Sequence, residues 1–154
     1  MKWLTREWYD RGFSDPRSLA AWDAYGHHLS EILGELNDGV EALVSDVHIH
    51  GAVVDKYEYN NGQLLLIMLA GNESSGYTWV TLTYQGVTQL EPTARKFDFL
   101  IQKPTELLHD EIDIIDGMYE HRILCWPEGE LRIRFRTLHS ELSPGTKEER
   151  ATFD

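Results

Sequence analysis

The string SDVHIHGAVVDKYEYNNGQLLLIMLA, residues 45–70, is where the side-chain period of this chain changes. Up to Asp46 apolar residues return every three or four positions. From Val47 they return every second position, and β-branched and aromatic residues take over. Val47 to Tyr59 therefore reads as a strand, Asn60, Asn61 and Gly62 as a tight turn that tolerates positive φ, and Leu64 to Ala70 as the returning strand. The unbroken apolar run Leu64 to Leu69 predicts a central strand covered on both faces, one cover being a helix.

Working back from residue 45, Asp15 can cap a helix whose first position is Pro16, where a missing N–H does no harm. Leu19, Trp22, Tyr25, Leu29, Ile32, Leu33 and Leu36 recur at helical spacing and form one apolar stripe. Asn37, Asp38 and Gly39 stop it, and Val40 to Val44 adds a helical turn. Working forward, Tyr77 to Tyr84 is almost pure β-former. Short strands are expected near Val87 to Leu90 and Phe97 to Ile101, interrupted by Pro92 and Pro104. Asp116 and Gly117 then separate Leu107 to Ile115 from Met118 to Trp126, and Pro127 to Gly129 separate that from Leu131 to Leu138, a three-stranded meander. The expected fold class is α+β: an N-terminal amphipathic helix packed on a mostly antiparallel β-sheet ending in that meander. Residues 1–143 form a single domain, and residues 144–154, without apolar pattern, a flexible tail.

Composition bounds the function. Apolar residues make up 42% of the 154 residues and aromatics 11%, too much hydrophobic material for a disordered chain. The formal charge of −12 comes from 26 acidic against 14 basic residues. A field of that sign repels phosphate backbones, which argues against nucleic acid and for a basic protein partner. Cys125 stands alone, so no intrachain disulfide or thiolate metal cluster is available, and a reducing, cytoplasmic setting is expected. No apolar run reaches membrane-spanning or signal-peptide length, so neither a membrane role nor secretion is expected.

Two groups of residues invite chemistry. On a strand, His48 and His50 would share a face about 7 Å apart, close enough to reach one divalent cation, with a third ligand offered by His109, Asp110 or Glu111 in the string HDE, His109 completing the histidine set. The competing reading is ordinary strand histidines with hydrogen-bond partners. Arg132, Arg134 and Arg136 alternate with Leu131, Ile133 and Phe135 and should project from one face, which Arg122 and Trp126 join across the turn. Such a patch could hold an anion or an acidic group. Its competitor is a cross-strand charge ladder in which Glu111, Asp113 and Glu120 neutralise the arginines. His121, between Tyr119 and Ile123, suits a buried, hydrogen-bonded structural role, and Cys125 a packed thiol. No phosphate loop, nucleophile elbow or HExxH helix is present, and no cofactor is expected beyond the divalent metal.

The opening MKWLTREWY, with the strings VHIHGAVV, LLHDEIDI and ELRIRF, resembles an uncharacterised bacterial family of small α+β proteins, some of them immunity-like. The resemblance implies a bacterial cytoplasmic protein with no established catalytic residues. The HIH here departs from the simpler HD string expected of the family, so it carries no site over. Together these readings point to a non-enzymatic binding protein, immunity-like or accessory, that recognises a basic protein. The alternative is a metal-dependent enzyme or metal-binding protein built on the histidines.

Overall fold

The computed structural model describes residues 1–91 and 105–153; the strand expected near Phe97 to Ile101 lies outside them. The architecture is α+β, with an eight-stranded sheet in which every pairing of the described residues is antiparallel.

Three helices precede the sheet, each started by a side-chain cap. Thr5 Oγ1 accepts from the Trp8 N–H at the head of α1 (Arg6–Arg11), Asp15 from the Arg17 N–H at α2 (Pro16–Ile32), and Asn37 from the Val40 N–H at α3 (Asp38–Asp46). These bonds occupy amide groups that the first helical turn leaves orphaned. Asn37 was expected to end a helix; it starts one. A short 3-10 turn, Leu33–Glu35, joins α2 to that cap. Between α1 and α2 the Trp8 indole donates to the Ser18 carbonyl at 2.8 Å while the Ser18 hydroxyl donates to the Trp8 carbonyl at 3.2 Å.

The strands are β1 (Ala52–Asn60), β2 (Gln63–Asn72), β3 (Gly76–Gln85), β4 (Gln89–Glu91), β5 (Glu106–Ile115), β6 (Met118–Trp126), β7 (Glu130–Phe135) and β8 (Thr137–Gly145). Their order is β4-β7-β6-β5-β1-β2-β3-β8. The turns between β1 and β2 and between β5 and β6 take the form their residues demand. Asn61 and Gly62 have φ of 49° and 77°, Asp116 and Gly117 of 52° and 74°, the paired positive values of a two-residue hairpin loop matched to strand twist.

The sheet curls until its ends meet. β3 pairs with β8 up to Gln85 opposite Thr137, and β4 resumes against β7 with Gln89 opposite Arg134. At that corner the Arg136 N–H donates to the Gln85 carbonyl at 3.0 Å and the Thr88 N–H to the Arg134 carbonyl at 2.9 Å. The concave side holds the core, in which Leu64, Leu66, Met68, Leu82, Ile133 and Phe135 are fully buried.

Several expectations are corrected. β1 begins at Ala52 rather than Val47; residues 47–49 are an unpaired connection from α3 and residues 50–51 a turn closed by the Ala52 N–H on the Ile49 carbonyl at 3.0 Å. Val47 and Ile49 are buried while His48 and His50 are exposed, an alternation that mimics a strand without a ladder. The strand expected from Leu131 to Leu138 divides at Arg136: β7 stops at Phe135 and β8 starts at Thr137. Residues from 144 do not fray: β8 extends to Gly145, and a capping box between Thr146 and Glu149 starts α4 (Lys147–Arg150), followed by a 3-10 turn, Ala151–Phe153. Reciprocal bonds of that kind satisfy two orphan amides. The Phe153 ring meets Trp79 edge-on at 6.3 Å, on the outer side of β3. Finally, β2 is central but its outer side is only partly covered, Leu65 and Ile67 being half-buried, because α2 lies on β5 and α3 on β8.

Candidate functional site

Among the described residues β1 and β5 pair at two positions, Ala52 with Leu107 and Val53 with Glu106. Beyond them the strands part, and α2 lies across the gap with the Tyr25 hydroxyl accepting the Ile112 N–H at 2.8 Å. A bulge after Leu107 re-aims the next residues, which places Asp110 on the concave side opposite Ile123. The result is a cleft of about 390 Å³ bounded by α2, α3, the 47–50 connection and β5. Trp22, Tyr25, Leu29, Val44 and Val47 supply most of its wall, and Asp110 its carboxylate.

Behind Asp110 runs a buried relay. His121 Nε2 lies 3.0 Å from Asp110 Oδ2, and His121 Nδ1 lies 2.8 Å from the Tyr84 hydroxyl. A single ring proton on Nε2 satisfies both bonds, with Tyr84 donating to Nδ1 and Nε2 to the carboxylate. The His121 side chain is fully buried, whereas that of Asp110 is 33% exposed. Burial, reinforced by the charge of Asp110, pushes the Tyr84 hydroxyl well above its ordinary value. The same two causes raise Tyr25, so both stay protonated. His121 thus has the structural, hydrogen-bonded role its neighbours suggested, and it orients Asp110 toward the opening.

All three histidines considered as ligands line the cleft, and the rings of two of them come together. The rings of His50 and His109 lie 4.7 Å apart, tilted by 31°, and His50 Nδ1 bonds the Leu108 carbonyl. His48 is exposed and also borders a separate depression with Asp46, Ala70 and Ser75. The shared strand face on which the trio depended does not form, and among the described residues no group of three or more His, Cys, Asp or Glu side chains is placed to hold a metal ion. His109 instead sits inside an aromatic cluster, with Trp8, Phe13 and Trp22 at 4.8, 5.6 and 5.9 Å, each edge-on. Burial, with a further contribution from His50, lowers its pKa from 6.5 to about 4.

The arginines lie on the outer, convex side. Arg122, opposite Arg132 in the ladder, is buried with Glu111, Asp113 and Glu120. Its Nε donates to Glu120 Oε1 at 2.6 Å and its terminal nitrogen to Asp113 Oδ2 at 3.2 Å. Arg134 donates to Glu120 Oε2 at 2.8 Å, and Arg132 to Glu91 at 3.3 Å. Glu111, fully buried, accepts the backbone N–H groups of Lys2, Trp3 and Leu4 at 2.8, 2.8 and 2.5 Å. This is the geometry of the charge ladder, capped by the first four residues and by His28, whose Nε2 lies 2.9 Å from Asp113. Burial alone would raise the Glu120 carboxyl; hydrogen bonds from Arg134 and Arg122 outweigh it and hold the group below 4.5. Arg136 lies past the end of β7, exposed, at the corner with Gln85, and Trp126, also on the outer side, is half exposed at the end of β6. Cys125 is buried on the concave side, and desolvation pushes its thiol up to about 12, the state of a packed rather than a reactive thiol.

No family model, curated protein or solved structure matches this chain. Among the described residues no helix is long and apolar enough to cross a membrane.

Sequence reasoning missed the Tyr25 contact and the Asp110–His121–Tyr84 relay; it offered Asp110 only as one of three possible third metal ligands. The alternation of Asp110 with Glu111, with His121 between Tyr119 and Ile123, was the available signal that Asp110 and His121 share the inner side.

Proposed function

We propose that this is a non-enzymatic binding protein, an immunity-like or accessory protein of the bacterial cytoplasm, that recognises a basic protein partner. One observation carries the reading: a cleft of largely apolar wall holds a single part-exposed carboxylate, Asp110, in a chain of net charge −12. Trp22 of the cleft wall and Phe13, whose ring meets the lining residue His109, are 49% and 57% exposed, large apolar side chains of the kind that anchor protein interfaces. Several groups that could instead support a reaction are engaged within the fold. Cys125 is packed, both ring nitrogens of His121 are bonded, and Arg122, Arg132 and Arg134 are paired with carboxylates. The acidic field would speed encounter with a cationic surface and repel nucleic acid.

The test is capture from the source cell at low and at high ionic strength, followed by titration with the purified candidate. The reading expects one basic protein held stoichiometrically at low salt, with affinity falling as salt rises. Recovery of no basic partner at any ionic strength would reject it.

A further inference from the structure

We propose that the cleft between α2 and β5 is a receptor for a primary alkylammonium group, supplied by a lysine side chain of the basic partner. This rests on the binding reading above and gives it an address.

The argument begins with the carboxylate. Asp110 is held by His121, which serves it through one ring proton and closes its own second bond with Tyr84. Among the described residues no Lys or Arg is paired with Asp110, in contrast to the carboxylates of the outer side, where Arg122 and Arg134 neutralise Glu120. The charged-state partner of Asp110 among the described residues is His121, a cation only when protonated, so the cleft holds a preoriented carboxylate with no permanent counter-charge. Its surroundings suit a charge on an alkyl stem: Leu29, Val44 and Val47 give apolar wall, Trp22 and Tyr25 give aromatic surface on successive turns of α2 that attracts a cation, and the imidazoles of His48, His50 and His109 line the same space, ring nitrogens that accept a hydrogen bond when unprotonated. A volume of about 390 Å³ accommodates one long side chain.

The choice of ammonium over guanidinium follows from the same bond. A guanidinium fork binds best when both carboxylate oxygens are free to accept in parallel. Oδ2 of Asp110 already accepts from His121, which leaves one fully available oxygen and favours a single-point donor. The partner is taken as protein rather than free amine because Trp22 of the cleft wall and Phe13 against His109 are exposed large apolar side chains and the −12 charge complements a cationic surface.

The experiment uses the full chain and amide NMR. Nα-acetyl-lysine methylamide should produce saturable shifts at Gly26, Asp110 and Ile112 and at the Trp22 indole. The arginine analogue should bind more weakly, and the Nε-acetylated lysine analogue, which lacks the charge, should not bind. Asp110→Asn should weaken the lysine probe by roughly tenfold or more, the loss expected for one charged hydrogen bond. Because Asp110→Asn also touches His121, a second variant is needed. A Cβ at Gly26 would meet nothing within 4 Å, and Gly26 lines the cleft, so Gly26→Leu fills the space while favouring the helix. It should abolish probe binding and weaken capture of the basic partner by a similar factor. Absence of saturable cleft shifts, or equal binding of the acetylated probe, overturns the proposal. Undiminished partner capture by Gly26→Leu overturns it while leaving the binding reading intact. Probe binding without any basic partner removes the lysine as source, and it is then the binding reading that has failed.

Discussion

The Tyr25 hydroxyl accepts the Ile112 N–H at 2.8 Å, so a side chain of α2 closes a bond that a neighbouring strand would close in an unbroken sheet. Replacing Tyr25 by Phe leaves the ring and removes the acceptor, and a part-buried backbone donor then lacks its partner. Tyr25→Phe should lower stability by about 1–3 kcal/mol. Urea titration checks it: the midpoint should fall with the slope unchanged. An unshifted midpoint would mean that the hydroxyl does not support the gap.

Arg122 stands among three buried carboxylates, Glu111, Asp113 and Glu120, and is the most deeply placed cation facing them. Its removal leaves buried negative charge without compensation, so Arg122→Ala should cost about 3–5 kcal/mol. Arg132, whose side chain is 41% exposed against an exposed Glu91, is the internal control; Arg132→Ala should change stability by less than about 1 kcal/mol. Equal effects in denaturant melts of the two variants would contradict the ladder.

His109 takes its proton near 6.5 in the unfolded chain and only at about 4 in the folded one. Between those values the unfolded state holds more protons, so stability falls as the pH drops from 6.5 toward 4 and this contribution then levels off. NMR titration should place the His109 ring near the lower value. His109→Phe keeps an aromatic ring among Trp8, Phe13 and Trp22 and should flatten that segment of the thermal-stability profile. An His109 ring titrating at its ordinary value would refute the effect.

Gly39 lets α3 approach the backbone of β8 closely. A Cβ there would lie 1.9 Å from the Leu138 carbonyl oxygen, an atom that cannot swing aside. Although Ala is ordinarily the better helix former, Gly39→Ala should therefore destabilise by about 1–3 kcal/mol. Calorimetry reads the sign directly, and a gain in stability would show that α3 moves off β8 at no cost.

What the sequence made legible were features written in local signals. Asp15 with Pro16 announced α2, and Asn-Gly at 61–62 and Asp-Gly at 116–117 announced two hairpins, because those residues take positive φ cheaply. The 47–51 segment misled because burial alternates along any extended chain lying over a core, whether or not a strand pairs with it. Thr146 with Glu149 was a readable capping box hidden by the polarity of its surroundings. The cleft could not be read, since it depends on a bulge after Leu107 and on the parting of β1 from β5, both set by contacts distant in sequence.

The ladder between β3 and β8 has a consequence in time. The hairpins β1–β2 and β5–β6 join neighbours in the chain and can form early, but Thr83 meets His139 and Gln85 meets Thr137 only after the residues between them, the described strands β4 to β7 included, are spanned, an entropic toll that comes before any reward. Pairing of such high sequence separation slows the search for the native state to roughly milliseconds to seconds. The seam at Arg136 is the last stitch of assembly, and a newly made chain waits for its own C-terminal third before its hydrophobic interior is sealed.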